Sequence, residues 1–290
     1  MSDRLAVLPQ YLIPKLALTR FAGFVASARA GALTHWIIRR FVARYGVDLS
    51  EAQLSQPSDY ASFNEFFTRP LREGARPQAD AAYVCPVDGA ISQFGRIERD
   101  QIFQAKGHSY STQTLVGGNA ALARQFDDGE FATLYLSPRD YHRIHMPCTG
   151  RLLRMIHVPG DLFSVNPTTA RGVPGLFARN ERVVCVFEDE AHRPFVLTLV
   201  GATIVGSMAT VWHGVVNPPR PGTVREWRYD TQEVVIAKGA EMGRFLLGST
   251  VVMLFPKNTL TFNPDWAPAR AIRMGERMGE AMGHSTATPA

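Results

Sequence analysis

The run Phe245-Leu246-Leu247-Gly248-Ser249-Thr250-Val251-Val252-Met253-Leu254-Phe255 decides the reading of the fold. Val251 to Phe255 are consecutive apolar residues, β-branched at the start and bounded by Pro256, which predicts a buried strand. Gly248 and Ser249 stand where that strand begins. A glycine there leaves its carbonyl carbon unshielded and opens backbone angles closed to other residues. The next side chain is a hydroxyl, of chemical use only where a neighbour takes its proton. Standing alone, such a Gly-Ser pair is a turn, so its meaning depends on the rest of the chain.

Outward from this run the texture is the same as far back as Pro77. Short apolar stretches recur at Tyr83–Val87, Ala132–Leu136, Leu152–Val158, Val183–Phe187, Phe195–Val205 and Val234–Ile236, cut by Gly, Pro, Asp and Asn. Strands at this spacing without long helical patterns between them predict a mainly β fold, an antiparallel sandwich or barrel-like core. The N-terminal segment differs. It predicts two amphipathic helices, Pro14 to Ala28 and Thr34 to Tyr45, with Thr34 as the N-cap of the second and Gly46 ending it. A short helix is expected within SFNEFFTRPLR, Ser62 to Arg72. Three regions follow: helices over 1–60, a β-rich domain over 61–268, and a tail over 269–290. Met274, Met278 and Met282 alternate there with glycines, giving at most one weak helix, and the tail is expected to be mobile.

With 46% hydrophobic and 20% charged residues over 290 positions, the composition is that of an ordinary globular protein with ample material for a core. Cys85, Cys148 and Cys185 are odd in number and widely spaced, which argues against a disulfide framework and for a reducing compartment. No signal peptide is expected, because Pro9 and Gln10 interrupt the first apolar run. Lys15, Arg20 and Arg29 break the only candidate for a membrane span. Residues 1–48 hold seven Lys/Arg against Asp3 and Asp48, which is the whole net charge of +5. Arginines beside Trp36, Phe41 and Tyr45 on short helices suit a membrane interface. A helical hairpin packed on its own core is the alternative. Nucleic acid is not expected as a partner, since no further basic stripe follows.

Three constellations carry possible chemistry. Pro86-Val87-Asp88-Gly89 is by default a hairpin turn. Pro138-Arg139-Asp140-Tyr141-His142-Arg143-Ile144-His145-Met146-Pro147 packs two of the chain's eight histidines into four residues. It reads as a surface loop, as a site, or as two metal ligands with His157 or Cys148 as a third, although zinc sites usually show cleaner spacing. Lys106-Gly107-His108-Ser109-Tyr110-Ser111 is polar enough to be a loop facing a site.

Taken in order, these stretches resemble the phosphatidylserine decarboxylases, pyruvoyl-dependent lyases of phospholipid synthesis. The resemblance runs from FNEFFTR at 63–69 through PVDG at 86–89, KGHSYS at 106–111 and YLSPRDYHRIHMP at 135–147. It continues through LFSVNP at 162–167, LFARNERVV at 176–184 and VGATIVGS at 200–207 to KGAEMGRFLLGSTVV at 238–252. It implies that Asp88, His145 and Ser249 form a Ser-His-Asp set that acts once, on the protein itself. His145, oriented by Asp88, would take the Ser249 proton, and the oxygen would attack the Gly248 carbonyl. Elimination from the resulting ester and loss of ammonia would leave Ser249 as a covalent N-terminal pyruvoyl group, the cofactor, with neither metal nor pyridoxal phosphate required. Its ketone would form a Schiff base with phosphatidylserine, and phosphatidylethanolamine would be released. His142 is implied in the substrate step, on the substrate carboxylate or as proton donor. The implied partners are phosphatidylserine, an anionic membrane surface met from the cytoplasmic side, and the large and small chains of one precursor. A homodimer is compatible with this reading.

Two other classes fit parts of the pattern. A serine hydrolase using the same three residues would act on external esters and keep its chain intact. A non-enzymatic membrane-binding β module would have no use for the paired histidines.

Overall fold

A computed structural model describes residues 3–204, 207–220, 222–246 and 250–282. Thr250–Phe255 is a strand at the middle of a nine-stranded sheet, antiparallel to Glu130–Tyr135 on one side and Pro194–Val200 on the other. Successive side chains point to opposite faces of a strand. Val251, Met253 and Phe255 therefore enter one apolar cluster, and Val252 and Leu254 another. Both faces are covered, so an unbroken apolar run is what this strand requires. Arg182–Glu188 obeys the same rule, with Val183, Cys185 and Phe187 on one side and Val184 and Val186 on the other.

The sheet continues from Pro194–Val200 through Arg182–Glu188 and Gly150–Val158 to Arg225–Arg228, with Val235–Ile236 also pairing with Gly150–Val158. Its other flank runs through Glu130–Tyr135 and Gly89–Arg96 to Ala271–Ile272. These ends do not pair, so no barrel closes among the described residues. A four-stranded sheet (Gly214–Asn217, Met208–Thr210, Glu241–Phe245, Arg143–His145) and a three-stranded one (Tyr83–Val84, Arg277–Ala281, Leu260–Phe262) share the first cluster. That gives the sandwich layer. Short helices cover the opposite face, including Thr112–Leu115, Pro167–Gly172 and Leu176–Arg179, through Leu115, Ala170, Leu176 and Phe177. The fold is mainly antiparallel β, as expected, with this helical layer added.

The two expected N-terminal helices are Lys15–Ser27 and Ala32–Tyr45, preceded by the short helices Asp3–Val7 and Pro9–Leu12. Gly46 ends the second in the left-handed conformation at φ +67, and its N–H reaches the Val42 carbonyl. Thr34 is not the cap. Gly31 holds that position, while the Thr34 hydroxyl donates to Ala28 O and accepts from Ala30 N, tying the helix to the preceding loop. Ile38 and Phe41 pack with Tyr60, Phe63, Phe66 and Phe67 in a third cluster. Phe63–Phe67 is the expected short helix, with Ser62 accepting from Glu65 N.

The tail departs from expectation. Ala271–Ile272 and Arg277–Ala281 are strands, and Met274 and Met278 are buried. A spacing of four fits one face of a helix and equally one face of a strand. The glycines decide between them. A Cβ on Gly279 would lie 2.5 Å from Thr261 O, and Gly275 has φ +87 beside Pro77 O. Residues 283–290 lie outside the described residues.

The KGHSYS stretch is a hairpin, Gln101–Ala105 with His108–Ser111. Lys106 and Gly107 turn it with positive φ at both positions, as a primed turn requires. Lys106 is ion-paired with Asp3 near the N-terminus.

Candidate active site

The peptide between Gly248 and Ser249 belongs to the connection that leaves the four-stranded sheet and enters the nine-stranded one. Residues 247–249, both of these included, lie outside the described residues, but the chain is held on either side. Phe245 N donates to His142 O at 3.1 Å, and Leu246 N donates to Ser207 O at 3.0 Å. Beyond the connection, Thr250 is paired with Tyr135 and Val200. The strand Glu241–Phe245 that leads into it lies against Arg143–His145. The histidine stretch therefore runs alongside the approach to Gly248.

Both histidines are buried. His145 Nδ1 lies 2.8 Å from Gly239 O, and a carbonyl can only accept, so Nδ1 carries the proton. Nε2 is left as a base, and the Tyr141 hydroxyl donates to it at 3.0 Å. Burial pushes the His145 pKa down, which keeps the ring neutral and able to accept a proton. His142 repeats the pattern on another side of the strand. Its Nδ1 donates to Asp140 O at 2.7 Å, and its ring packs on Phe67 with centroids 4.0 Å apart. Its Nε2 is buried without a partner among the described residues, and desolvation lowers its pKa to about 3.

Asp88 is placed differently from expectation. Pro86–Gly89 is a bend into the Gly89–Arg96 strand, not a two-residue hairpin. No Asp88–His145 hydrogen bond is formed among the described residues; the Gly239 carbonyl orients His145 instead. The Asp88 carboxylate accepts from Arg76 Nε at 3.0 and 3.1 Å and from Met274 N at 2.9 Å. Arg76 in turn reaches Glu51 at 2.8 Å. Asp88 and Tyr141 line one cavity of about 470 Å³, together with Arg69, Tyr135, Arg139 and Arg273. Gly89 is needed where it stands, because a Cβ there would lie 2.3 Å from Tyr135 O.

The metal reading gains no geometry: among the described residues no three His, Cys, Asp or Glu side chains gather around a common point. His157 is paired with Glu181 elsewhere, and the three cysteines are free and buried.

The profile of the phosphatidylserine decarboxylase family matches residues 63–280, and a second profile, described as PSD, matches residues 5–46. The chain belongs to the phosphatidylserine decarboxylase family. Among its relatives, the phosphatidylserine decarboxylase proenzyme of Dechloromonas aromatica (strain RCB) is 76% identical over 279 residues, 96% of this chain and 99% of the relative. The proenzyme of Azoarcus sp. (strain BH72) is 74% identical, covering 97% of each chain. That of Variovorax paradoxus (strain S110) is also 74% identical, over 96% of this chain and 98% of the relative.

Four contributors to this candidate site are not legible in the sequence. Tyr141 stood inside a recognised motif but had no role. Gly239 O, Arg76 and Met274 N act through contacts between residues far apart in the chain, and Met274 lies in the segment read as a mobile tail. The one available signal was Arg76, a charged residue just before the β-rich texture begins at Pro77.

Proposed function

We propose that the chain is made as a proenzyme and matures by cutting itself between Gly248 and Ser249. As a member of its family it is a pyruvoyl-dependent carboxy-lyase that converts phosphatidylserine to phosphatidylethanolamine. The observation that carries the maturation reading is the pair of neutral, buried imidazoles beside the strand running into Gly248. Each is held by a carbonyl so that Nε2 is the basic atom.

In this reading His145 Nε2 exchanges its Tyr141 partner for the Ser249 hydroxyl and takes its proton. The Ser249 oxygen bonds to the Gly248 carbonyl carbon, the C–N bond breaks, and an ester with a free amine results. Loss of the Gly248 carboxylate by β-elimination cuts the chain, and water then displaces ammonia from residue 249. The contribution of Asp88 requires either that it act through the field of its carboxylate or that Arg76 release it.

The residues fit a pyruvoyl group. Joined to Thr250, it would be held at the entrance of the central strand, whose backbone is paired on both sides. The Nε2 of His142, buried and unpartnered among the described residues, has capacity for one more hydrogen bond. When present, the group supplies the sink for the electron pair left as carbon dioxide departs. His142 is assigned to the substrate step, holding or delivering a proton through Nε2.

The substrate's bilayer gives the N-terminal helices a use. Among the described residues no helix is long and apolar enough to cross a membrane. Leu12, Phe21, Phe24, Leu33 and Trp36 are each more than half exposed, however, with Arg29, Arg39 and Arg40 exposed nearby in sequence. Such a surface supports peripheral docking on an anionic leaflet, on the cytoplasmic side for a chain with reduced cysteines.

Intact mass spectrometry under denaturing conditions tests the maturation. The expected products are a chain ending at Gly248 and a chain of residues 249–290 blocked by pyruvoyl, with Ser249→Ala remaining whole. A fully active, uncut wild type would exclude the mechanism and favour hydrolase chemistry on external esters.

A further inference from the structure

Arg220 lies between the strands Gly214–Asn217 and Arg225–Arg228. Its Nε donates to Glu181 Oε2 at 2.8 Å, and the other Glu181 oxygen lies 2.9 Å from Nε2 of the fully buried His157. Burial alone would raise the Glu181 pKa, but the hydrogen bonds from His157 and Arg220 hold it below the usual range. Arg220 is thus braced on one edge. A second guanidinium nitrogen, Nη2, is buried and has no hydrogen-bond partner among the described residues. Leaving a charged donor buried and unpaired is costly, so the position is built for an acceptor that arrives from outside.

Arg220 and Arg20 line two cavities, of about 460 and 630 Å³, within the size range of ligand sites. The first also touches Ser207 and Leu246, the residues that hold the chain on its way into Gly248 and Ser249. The second is flanked by Ile13 and Leu16, beside the exposed apolar surface of the N-terminal helices. An anion on Arg220 would therefore sit between the reaction segment and the place where acyl chains would leave.

Phosphatidylserine offers two anions, a carboxylate and a phosphodiester. A cation on the carboxylate would stabilise the charge that must be lost as carbon dioxide, favouring the ground state over the transition state. The phosphodiester keeps its charge throughout and suits a guanidinium that has a donor to spare beside its Glu181 contact.

We propose that Arg220, braced by Glu181 and His157 and assisted by Arg20, binds the phosphodiester of the lipid substrate. The assignment rests on the decarboxylase reading. Processed wild type, Arg220→Ala and Arg220→Lys are compared in mixed micelles, with processing into two chains as the check on folding. KM for phosphatidylserine should rise about tenfold or more in Arg220→Ala with kcat little changed, as expected for loss of one charged hydrogen bond. Arg220→Lys, which keeps a cation beside Glu181, should fall between. Glycerol 3-phosphate, which has neither amine nor carboxylate, should inhibit wild type and lose potency by a similar factor in Arg220→Ala, while inhibition by L-serine stays the same. Weakened L-serine inhibition with unchanged glycerol 3-phosphate inhibition would overturn the phosphodiester assignment. So would a loss of kcat at constant KM, which would mark a purely structural brace. If Arg220→Ala is not processed, the same comparison is read from Arg220→Lys, and unchanged KM and glycerol 3-phosphate inhibition there overturn the proposal. A processed wild type that releases no carbon dioxide from phosphatidylserine would overturn the decarboxylase reading itself.

Discussion

His142 and His145 lie three residues apart yet meet different neighbours, because the stretch is extended and an odd spacing reverses the side of a strand. His142 meets Phe67 and the Asp140 carbonyl, and His145 meets Tyr141 and the Gly239 carbonyl. This supports separate tasks. His145→Ala should leave the precursor largely uncut, as should Asp88→Asn, whereas His142→Ala should be cut yet decarboxylate on the order of 10²-fold more slowly. A denaturing gel and a carbon dioxide release assay on each variant read the two steps; an uncut His142→Ala beside a mature His145→Ala would exchange the roles. The burial of His142 also sets a pH dependence. Its folded pKa, about 3, lies below the ordinary 6.5, so the unfolded chain binds the extra proton between those values. The stability this ring contributes is present above pH 6.5 and is lost as pH falls from 6.5 toward 3. Denaturant unfolding of the single-chain Ser249→Ala protein between pH 7.5 and 4.5 should show a decline that His142→Phe makes shallower, by about 1 kcal/mol per pH unit. An identical slope in both would place the proton uptake on other groups.

At the scale of elements, the helices Lys15–Ser27 and Ala32–Tyr45 each have two uses. One side is anchored: Thr19 accepts from Ile204 N, and Ile38 is completely buried in the aromatic cluster. The other side exposes Phe21 at 66% and Trp36 at 54%, after Leu12 at 88% at the end of the short helix Pro9–Leu12. Deleting the whole segment would therefore strip the core as well as the exposed surface. Replacing Leu12, Phe21 and Trp36 together by serine separates the two. Flotation with anionic liposomes should fall sharply while the melting temperature moves by only a few degrees, since exposed substitutions usually change stability within about 0.5 kcal/mol each. Adding Arg29→Gln, Arg39→Gln and Arg40→Gln should remove most of the remaining salt sensitivity, because each arginine near such a surface is worth roughly 1 kcal/mol. Undiminished flotation would assign membrane contact to another face.

For the whole molecule, a cut before Ser249 would not free the smaller piece. Residues from Thr250 onward supply the central strand of the nine-stranded sheet, its Ala271–Ile272 edge and two of the three strands of the three-stranded sheet. Val251, Val252, Met253, Leu254 and Phe255 are completely buried, and burying each such side chain is worth about 1.5–3 kcal/mol. A native arm of the mass measurement should thus find both chains in one particle, separating only in denaturant. Release of the small chain under native conditions would contradict this sheet order. The same topology carries the Met274 amide to Asp88, so the last part of the chain helps to shape the cavity where Asp88 and Tyr141 meet.

Much of this was determined by the sequence alone. The apolar run 251–255, β-branched at its start and stopped by Pro256, reads as a buried strand, the N-terminal periodicity and Gly46 mark the helices to within a few residues, and the ordered motifs carry the family. These are local signals, fixed by side-chain period and backbone restriction. Tertiary structure decided what local pattern leaves ambiguous. Methionines four apart fit one face of a helix or of a strand, and only the close approach of Gly279 to Thr261 and the pairing with Tyr83–Val84 and Leu260–Phe262 made the tail a strand. Asp88 was read as the partner of His145, but the described structure gives it to Arg76 and Met274 and gives His145 to Gly239 and Tyr141. His157, Glu181 and Arg220 come from separate segments and meet only because the strand Gly150–Val158 lies beside Arg182–Glu188. A carboxylate or an imidazole takes whichever partner the sheet order brings within hydrogen-bond distance, and that order depends on long-range pairing that no single stretch of sequence contains.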